Sequence, residues 1–211
     1  MHDLSVIVPC HNVEKYVGKC LGSILSQKNQ HAASRELIVV LDSCSDGTES
    51  AVSRALDGSS AYDVKVVRTV AGCPGFARND GYEASDGKYI WFIDSDDWLV
   101  RDDAVDIVYG RMVSDDLDFC HVNTVTEYAP DGFHGWGTAW MGMWSRRGIG
   151  DIRFNGLQNG EDNKFVDDVM SNPLLRKGDV ELPLYYYNVG RVGNQTWVKN
   201  NGGFTVKEVF R

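Results

Sequence analysis

Long apolar runs, paired cysteines, an excess of positive charge and a phosphate-binding glycine loop are all missing from this chain of 211 residues. Without about 18 consecutive apolar residues, no membrane-spanning helix is expected. The opening MHDLSVIVP has no basic flank followed by a long apolar region, so it does not read as a secretory signal. Basic side chains number 21 against 30 acidic ones, a formal net charge of -9. Sequence-independent nucleic-acid binding needs Lys and Arg facing phosphates and is disfavoured. A purely electrostatic hold on anionic lipid is disfavoured for the same reason, leaving at most peripheral membrane association. The five cysteines, Cys10, Cys20, Cys44, Cys73 and Cys120, are odd in number and form no CxxC pair. They read as reduced packing cysteines in the cytoplasm, with zinc disfavoured.

Hydrophobic residues make up 43% of the chain, enough for a real core. Leu4–Pro9 is a β-rich run, and Val13, Val17, Leu21, Ile24 and Leu25 then fall on one helical face. Glu36–Leu41 is a continuous apolar run of the kind buried on both faces of a parallel sheet. A helix from Asp46-Gly47-Thr48 to about Leu56, a strand over Asp63–Thr69, a helix from about Pro74 to Ser85 and a strand over Tyr89–Ile93 follow. This alternation predicts βαβ units, right-handed crossovers and a parallel sheet. Beyond it the pattern predicts a helix over Ala104–Val113 and a strand over Leu117–Val125. Irregular Gly- and Trp-rich structure is expected over Ala129–Gly150, then a helix over Asn163–Met170 and a strand over Val180–Asn188. One continuous sheet and a single domain over 1–211 are expected, with a change of character near residue 105.

Ligands of open α/β sheets bind beyond the carboxyl ends of the strands. Three such ends carry polar groups: Pro9-Cys10-His11-Asn12, Asp42-Ser43-Cys44-Ser45-Asp46-Gly47, and Asp94-Ser95-Asp96-Asp97. Parallel, adjacent strands would bring them together. PCHNVEKY lacks the glycines of a dinucleotide-binding turn, and no P-loop pattern occurs. A bound diphosphate would then need another counter-charge. Mg²⁺ or Mn²⁺ on Asp94 and Asp96 would supply it, since these ions take oxygen ligands and near diphosphate use only one or two carboxylates. The alternative is an Asp-rich turn whose Asp97 or Asp102 caps the next helix.

The whole pattern resembles the family 2 glycosyltransferases, of the kind that build bacterial cell-surface polysaccharides. Their opening block is similar to LSVIVPCHNVEKYVGKCLGSILSQ, their second to ELIVVLDSCSDGT and their third to GCPGFARNDGYEASDGKYIWFIDSDD; a later Glu-Asp pair resembles Glu161-Asp162. The resemblance implies a GT-A fold: a mostly parallel central sheet flanked by helices, with a nucleotide-sugar-binding half to about residue 105 and a mixed, acceptor-binding half after it. It implies an inverting, metal-dependent hexosyl transfer from a nucleotide-sugar donor, with a uridine diphosphate leaving group favoured, to a hydroxyl of a glycan or lipid-linked glycan. Pro9, His11, Asn12, Asp42, Arg78, Asp94 and Ser95 would contact the donor. Asp42 would take a hydrogen bond from the base, and Asp96 with Asp94 would hold Mn²⁺ or Mg²⁺. Asp162 would be the catalytic base, ionised because a helix N-terminus favours an anion. Two positions depart from the family: Leu41 replaces a frequent acid, and His11 replaces the usual base-stacking tyrosine.

Other roles stay open for several groups. Glu161-Asp162 is also a plausible capping pair, with Glu161 or Asp97 as the next choice of base. Trp136, Trp140 and Trp144 recur four apart and would share a face on a helix, for sugar stacking or for core packing. Arg146 and Arg147 would meet a phosphate-bearing ligand or face water. Tyr185–Asn188 and Gly193–Thr196 are candidates to close over the donor. Two rival functions are a sugar nucleotidyltransferase, which wants glycines after the first strand, and a non-catalytic nucleotide- or carbohydrate-binding module, which needs neither Asp162 nor a metal.

Overall fold

The computed structural model describes residues 1–127, 129–133, 138–158 and 160–189. The first half has four strands, three of them apolar runs covered on both faces and the third in chain order a largely exposed edge strand. These are β1 (Leu4–Cys10), β2 (Arg35–Asp42), β3 (Asp63–Thr69) and β4 (Tyr89–Phe92). They lie side by side in the order β3-β2-β1-β4, all parallel. Every residue of β2 is buried. Of its two carboxylates, the interior one, Glu36, is satisfied by Ser5 Oγ at 2.6 Å, Lys65 Nζ at 2.8 Å and the Asp86 amide at 2.6 Å. A buried charge is tolerable only with such partners.

The connecting helices α1 (Val17–Leu25), α2 (Thr48–Leu56) and α3 (Pro74–Ala84) lie where the periodicity predicts. α1 starts four residues later than its apolar spacing suggests, because Val13 sits in the turn before it. α1 and α2 cover one face of the sheet together with α4 (Ala104–Ser114); α3 and α6 (Glu161–Met170) cover the other. Beyond β4 the sheet continues as β8 (Gly142–Ser145), β6 (Phe119–Thr126), β9 (Lys177–Tyr186) and β5 (Trp98–Leu99), with β7 (Ala129–Phe133) hydrogen-bonded to β6. Here antiparallel pairs mix with one parallel pair, β6 with β9. The described residues thus share one nine-stranded sheet, parallel on one side and mixed on the other.

The Gly- and Trp-rich stretch is more regular than expected. It supplies β7, β8 and the short α5 (Arg146–Ile149). Trp140 and Trp144 do not share a face: they pack into the cores on opposite sides of the sheet, 5% and 0% exposed. Their four-residue spacing crosses a turn and a strand, so no helical face exists. Truncating a fully buried side chain of this size typically costs about 3–5 kcal/mol. Trp136 and Gly193–Thr196 lie outside the described residues. No described helix is long and apolar enough to cross a membrane, and all five cysteines are free.

At the amino ends of the strands, far from the loops singled out above, His2 is held among carboxylates. Its Nδ1 is 2.5 Å from Asp86 Oδ1 and its Nε2 is 2.9 Å from Asp63 Oδ2. Asp63 and Asp86 raise the imidazole pKa above its usual value. A base with a raised folded-state pKa stabilises fully below its unfolded value of about 6.5, and the gain fades as pH rises through the raised value. The His2→Ala variant should therefore lose more melting temperature, relative to wild type, at pH 6 than at pH 9. An equal loss at both pH values would mean that the imidazole contributes packing alone.

Candidate active site

The carboxyl ends of β1, β2 and β4 open into a cavity of about 490 Å³, within the usual range for a small-molecule site. Its floor carries Pro9, His11, Asp42, Arg78, Asp94, Ser95 and Asp96, and Asp162 lines it from α6. Of the donor, metal and base residues that the family resemblance implies, Asn12 alone stands outside the lining. Its side-chain oxygen instead accepts from the amides of Ser45 at 2.8 Å and Asp46 at 3.3 Å, and so joins the first loop to the second.

Asp42, 5% exposed, ends β2. Its Oδ1 accepts from the amide of Ala71 at 2.9 Å, and its Oδ2 from the amide of Gly72 at 3.2 Å. Gly72 adopts φ +73, a region open mainly to glycine, and this turn brings its amide back to the carboxylate. Asp42 therefore shapes the cavity wall and keeps lone pairs for a ligand N–H. His11 is oriented by the carbonyl oxygen of Asp42, 2.7 Å from its Nδ1. A carbonyl only accepts, so Nδ1 carries the proton and Nε2 faces the Asn12 amide at 3.2 Å. These two bonds fix the plane of the ring.

Arg78 lies at the centre of the polar network. It is 4% exposed, with Nη2 2.7 Å from Asp94 Oδ1 and Nη1 2.9 Å from Glu161 Oε1. Burial works against its charge, but Asp94, Asp162 and Glu161 outweigh it and raise its pKa. The ion pairs tie α3 to the β4 turn and to the start of α6. Glu161 is consequently held in a buried ion pair at the cavity wall. That pairing spans 83 positions and has no local sequence signal.

Asp97 is also committed, though not as a helix cap. It is 1% exposed; its carboxyl takes bonds from the Tyr185 hydroxyl at 2.7 Å and the Asn188 amide at 2.8 Å. Burial, then Asp96 and Asp94, push its pKa up. Asp102 pairs with Lys28 at 3.0 Å, and the residue flanking α4 is Asp103. Asp94 and Asp96 line the cavity. One oxygen of Asp94 is held by Arg78. Carboxylate oxygens suit a hard divalent cation that keeps waters and completes its shell on substrate phosphate.

Asp162 sits in the first turn of α6, after Gly160 in a left-handed conformation. Its pKa is not lowered, as the helix terminus alone would suggest, but raised to about 6. Burial is the main cause; Arg78 pulls it down, Glu161 and Asp94 push it up, and the Asn163 amide pulls it down. Desolvation outweighs the dipole, leaving a carboxylate that is mostly ionised at pH 7 yet basic enough to accept a proton.

Trp140, read as a stacking or core residue, and Tyr187, from the segment read as closing over the donor, both line the cavity. Thr138 and Gln158 escaped sequence reading: both line the cavity, and Gln158 reaches across to the Gly72 carbonyl at 2.9 Å. Arg146 and Arg147 lie elsewhere. Arg146 binds the Gly87 carbonyl at 2.8 Å and Ser85 Oγ at 2.7 Å, and Arg147 binds Asp118 at 2.5 Å, all at the opposite end of the strands. Neither meets a ligand in the cavity.

The family model for glycosyl transferase family 2 matches residues 5–177. The chain belongs to that family. The family 2 chain is 34% identical over 117 residues to glycosyltransferase GlyA of Streptococcus pneumoniae, a match covering 54% of this chain and 16% of that protein. It is 30% identical over 102 residues to poly(ribitol-phosphate) beta-N-acetylglucosaminyltransferase TarS of Staphylococcus aureus, covering 48% and 18%. The chain thus spans well under two thirds of these relatives. Its fold is that of residues 1–349 of S. aureus TarS, solved with UDP-GlcNAc, at TM-score 0.80 with 22% identity over 92% of this chain and 60% of that one. Mannosyltransferase PcManGT of Pyrobaculum calidifontis, solved with GDP-Man and Mn²⁺, follows at TM-score 0.74 with 18% identity, covering 93% and 59%.

Proposed function

We propose that this family 2 chain is the catalytic domain of an inverting glycosyltransferase that moves a sugar from a UDP-linked donor to a hydroxyl of a glycan or lipid-linked glycan. One observation carries the reading: a single cavity joins an N–H acceptor, Asp42, to the Asp94–Asp96 turn and to a carboxylate, Asp162, with a pKa of about 6. Asp42 accepts the imino N–H of uracil, and the fixed His11 ring stacks on the base. Asp96 and Asp94 would hold Mn²⁺ or Mg²⁺. When bound, that ion supplies Lewis-acid stabilisation of the charge growing on the leaving group. Asp162 takes the proton from the acceptor hydroxyl. The acceptor oxygen bonds to the anomeric carbon from the face opposite the departing diphosphate, so the C–O bond to UDP breaks with inversion. The free cysteines support a cytoplasmic setting.

Calorimetric titration of the wild type with UDP, GDP, CDP and dTDP, each with Mn²⁺, tests the reading. UDP should bind most tightly, and Asp96→Ala should remove the metal-dependent part of its affinity while the melting temperature holds. Affinity unchanged in Asp96→Ala would sink the metal assignment. Donor binding with no transfer to any glycan would favour a non-catalytic module.

A further inference from the structure

Three carboxylates within four positions repel one another, so in water the β4 turn would splay. In the folded chain it is gripped from behind by the end of β9. The Tyr185 hydroxyl donates to Asp97 Oδ2 at 2.7 Å, and the hydroxyl oxygen accepts from the Asp94 amide at 3.1 Å. The Asn188 amide donates to Asp97 Oδ1 at 2.8 Å, and its side-chain Nδ2 donates to the Asp96 carbonyl at 3.2 Å. Asp94, Asp96 and Asp97 are therefore all tied to Tyr185 or Asn188. β5, directly after the turn, pairs with the same strand through Leu99 and Tyr185. Tyr185 is 0% exposed, and its ring stacks on Trp140 with centroids 4.7 Å apart. Its neighbour Tyr187 lines the cavity; Tyr185 does not.

The structure assigns Tyr185 and Asn188 a positioning role: they turn Asp97 inward and hold the β4 turn so that Asp94 and Asp96 converge on a divalent cation before it arrives. This inference rests on the donor-site reading above. Neither residue reaches a ligand in the cavity, so both act through the turn. A cation site whose carboxylates are already converged need not spend binding energy on gathering them. The groups that orient metal ligands typically contribute 10–100-fold to metal affinity.

Tyr185→Phe isolates the effect, because it keeps the stacked ring and removes only the oxygen that bridges Asp94 and Asp97. Free Mn²⁺ is measured by electron paramagnetic resonance with UDP present, and UDP affinity without metal by calorimetry. Mn²⁺ affinity should fall roughly 10–100-fold, with metal-free UDP affinity unchanged. Asn188→Ala should move the same way by less, because the Asn188 amide still reaches Asp97. If Tyr185→Phe loses its near-ultraviolet circular dichroism, half-buried Asn188→Ala carries the test alone. Wild-type Mn²⁺ affinity in both variants overturns the role, and so does an equal loss of metal-free UDP affinity, which would mean general damage to the cavity. Wild-type protein that binds no Mn²⁺ with UDP would sink the donor-site reading itself.

Discussion

Asp162→Asn should cut sugar transfer by roughly 10²–10⁴-fold, the usual contribution of a positioned general base, while UDP and Mn²⁺ still bind. The amide keeps the size of the carboxylate but takes no proton at neutral pH. α6 should survive, since among the described residues the Asp162 carboxylate hydrogen-bonds only the neighbouring Asn163 amide, at 2.9 Å. The variant should in fact be more stable than wild type. A carboxyl whose folded pKa is raised from 3.8 to about 6 weakens the fold wherever it is ionised. That penalty is absent below the unfolded pKa and full above the folded one, on the order of 1–3 kcal/mol at pH 8 after allowance for partial exposure. Denaturant midpoints at pH 8 and initial transfer rates can be read from one preparation. The wild-type rate should also fall with acid as pH drops through about 6. Normal transfer by the variant would leave Asp162 as nothing more than a first-turn residue of α6.

Arg78→Met should be the most damaging substitution for stability. It removes the cation between Asp94 and Glu161, one of them nearly fully buried. Breaking a buried ion pair from one side costs about 3–5 kcal/mol, because the remaining charge keeps its desolvation penalty. The double variant Arg78→Met with Glu161→Gln should regain part of that loss, since the amide leaves no orphaned charge. Arg78→Lys keeps the charge but not the two-pronged geometry and should fall between. Urea denaturation separates these cases; a loss under about 1 kcal/mol in Arg78→Met would remove Arg78 from the centre of the network. With the cation gone, the Asp162 pKa should rise and the acid limb of activity should move to higher pH.

Sequence revealed what burial on both faces writes into a strand. β1, β2 and β4 are apolar runs because helices cover them twice, whereas β3, at the sheet edge, stays half-exposed or exposed throughout. The carboxylates of the cavity were legible through their order at strand ends and through family likeness. The second half hides its order. β5 is two residues long and exists only because β9 lies beside it. β8 forms in a Gly- and Trp-rich stretch because Trp144 packs against Phe119, with ring centroids 4.1 Å apart, a contact that leaves no periodic trace. Arg78, Glu161, Tyr185 and Asp97 owe their roles to partners far away in the chain. Asp162 was found, but its pKa depends on surroundings that only the folded site assembles.

The long reach between Asp97 and Tyr185 also sets a schedule. These two residues are 88 positions apart, whereas β1 to β4 are complete by Phe92. Local βαβ contacts form ahead of distant ones, because loop closure costs entropy before it is rewarded. During synthesis at about 5–20 residues per second, the three-aspartate turn emerges on the order of 5–20 s before the strand that shuts it. In that interval Asp97 stays in water and its charge costs nothing. The nascent chain thus meets its electrostatically hardest arrangement last, when most of the fold already exists to bear it.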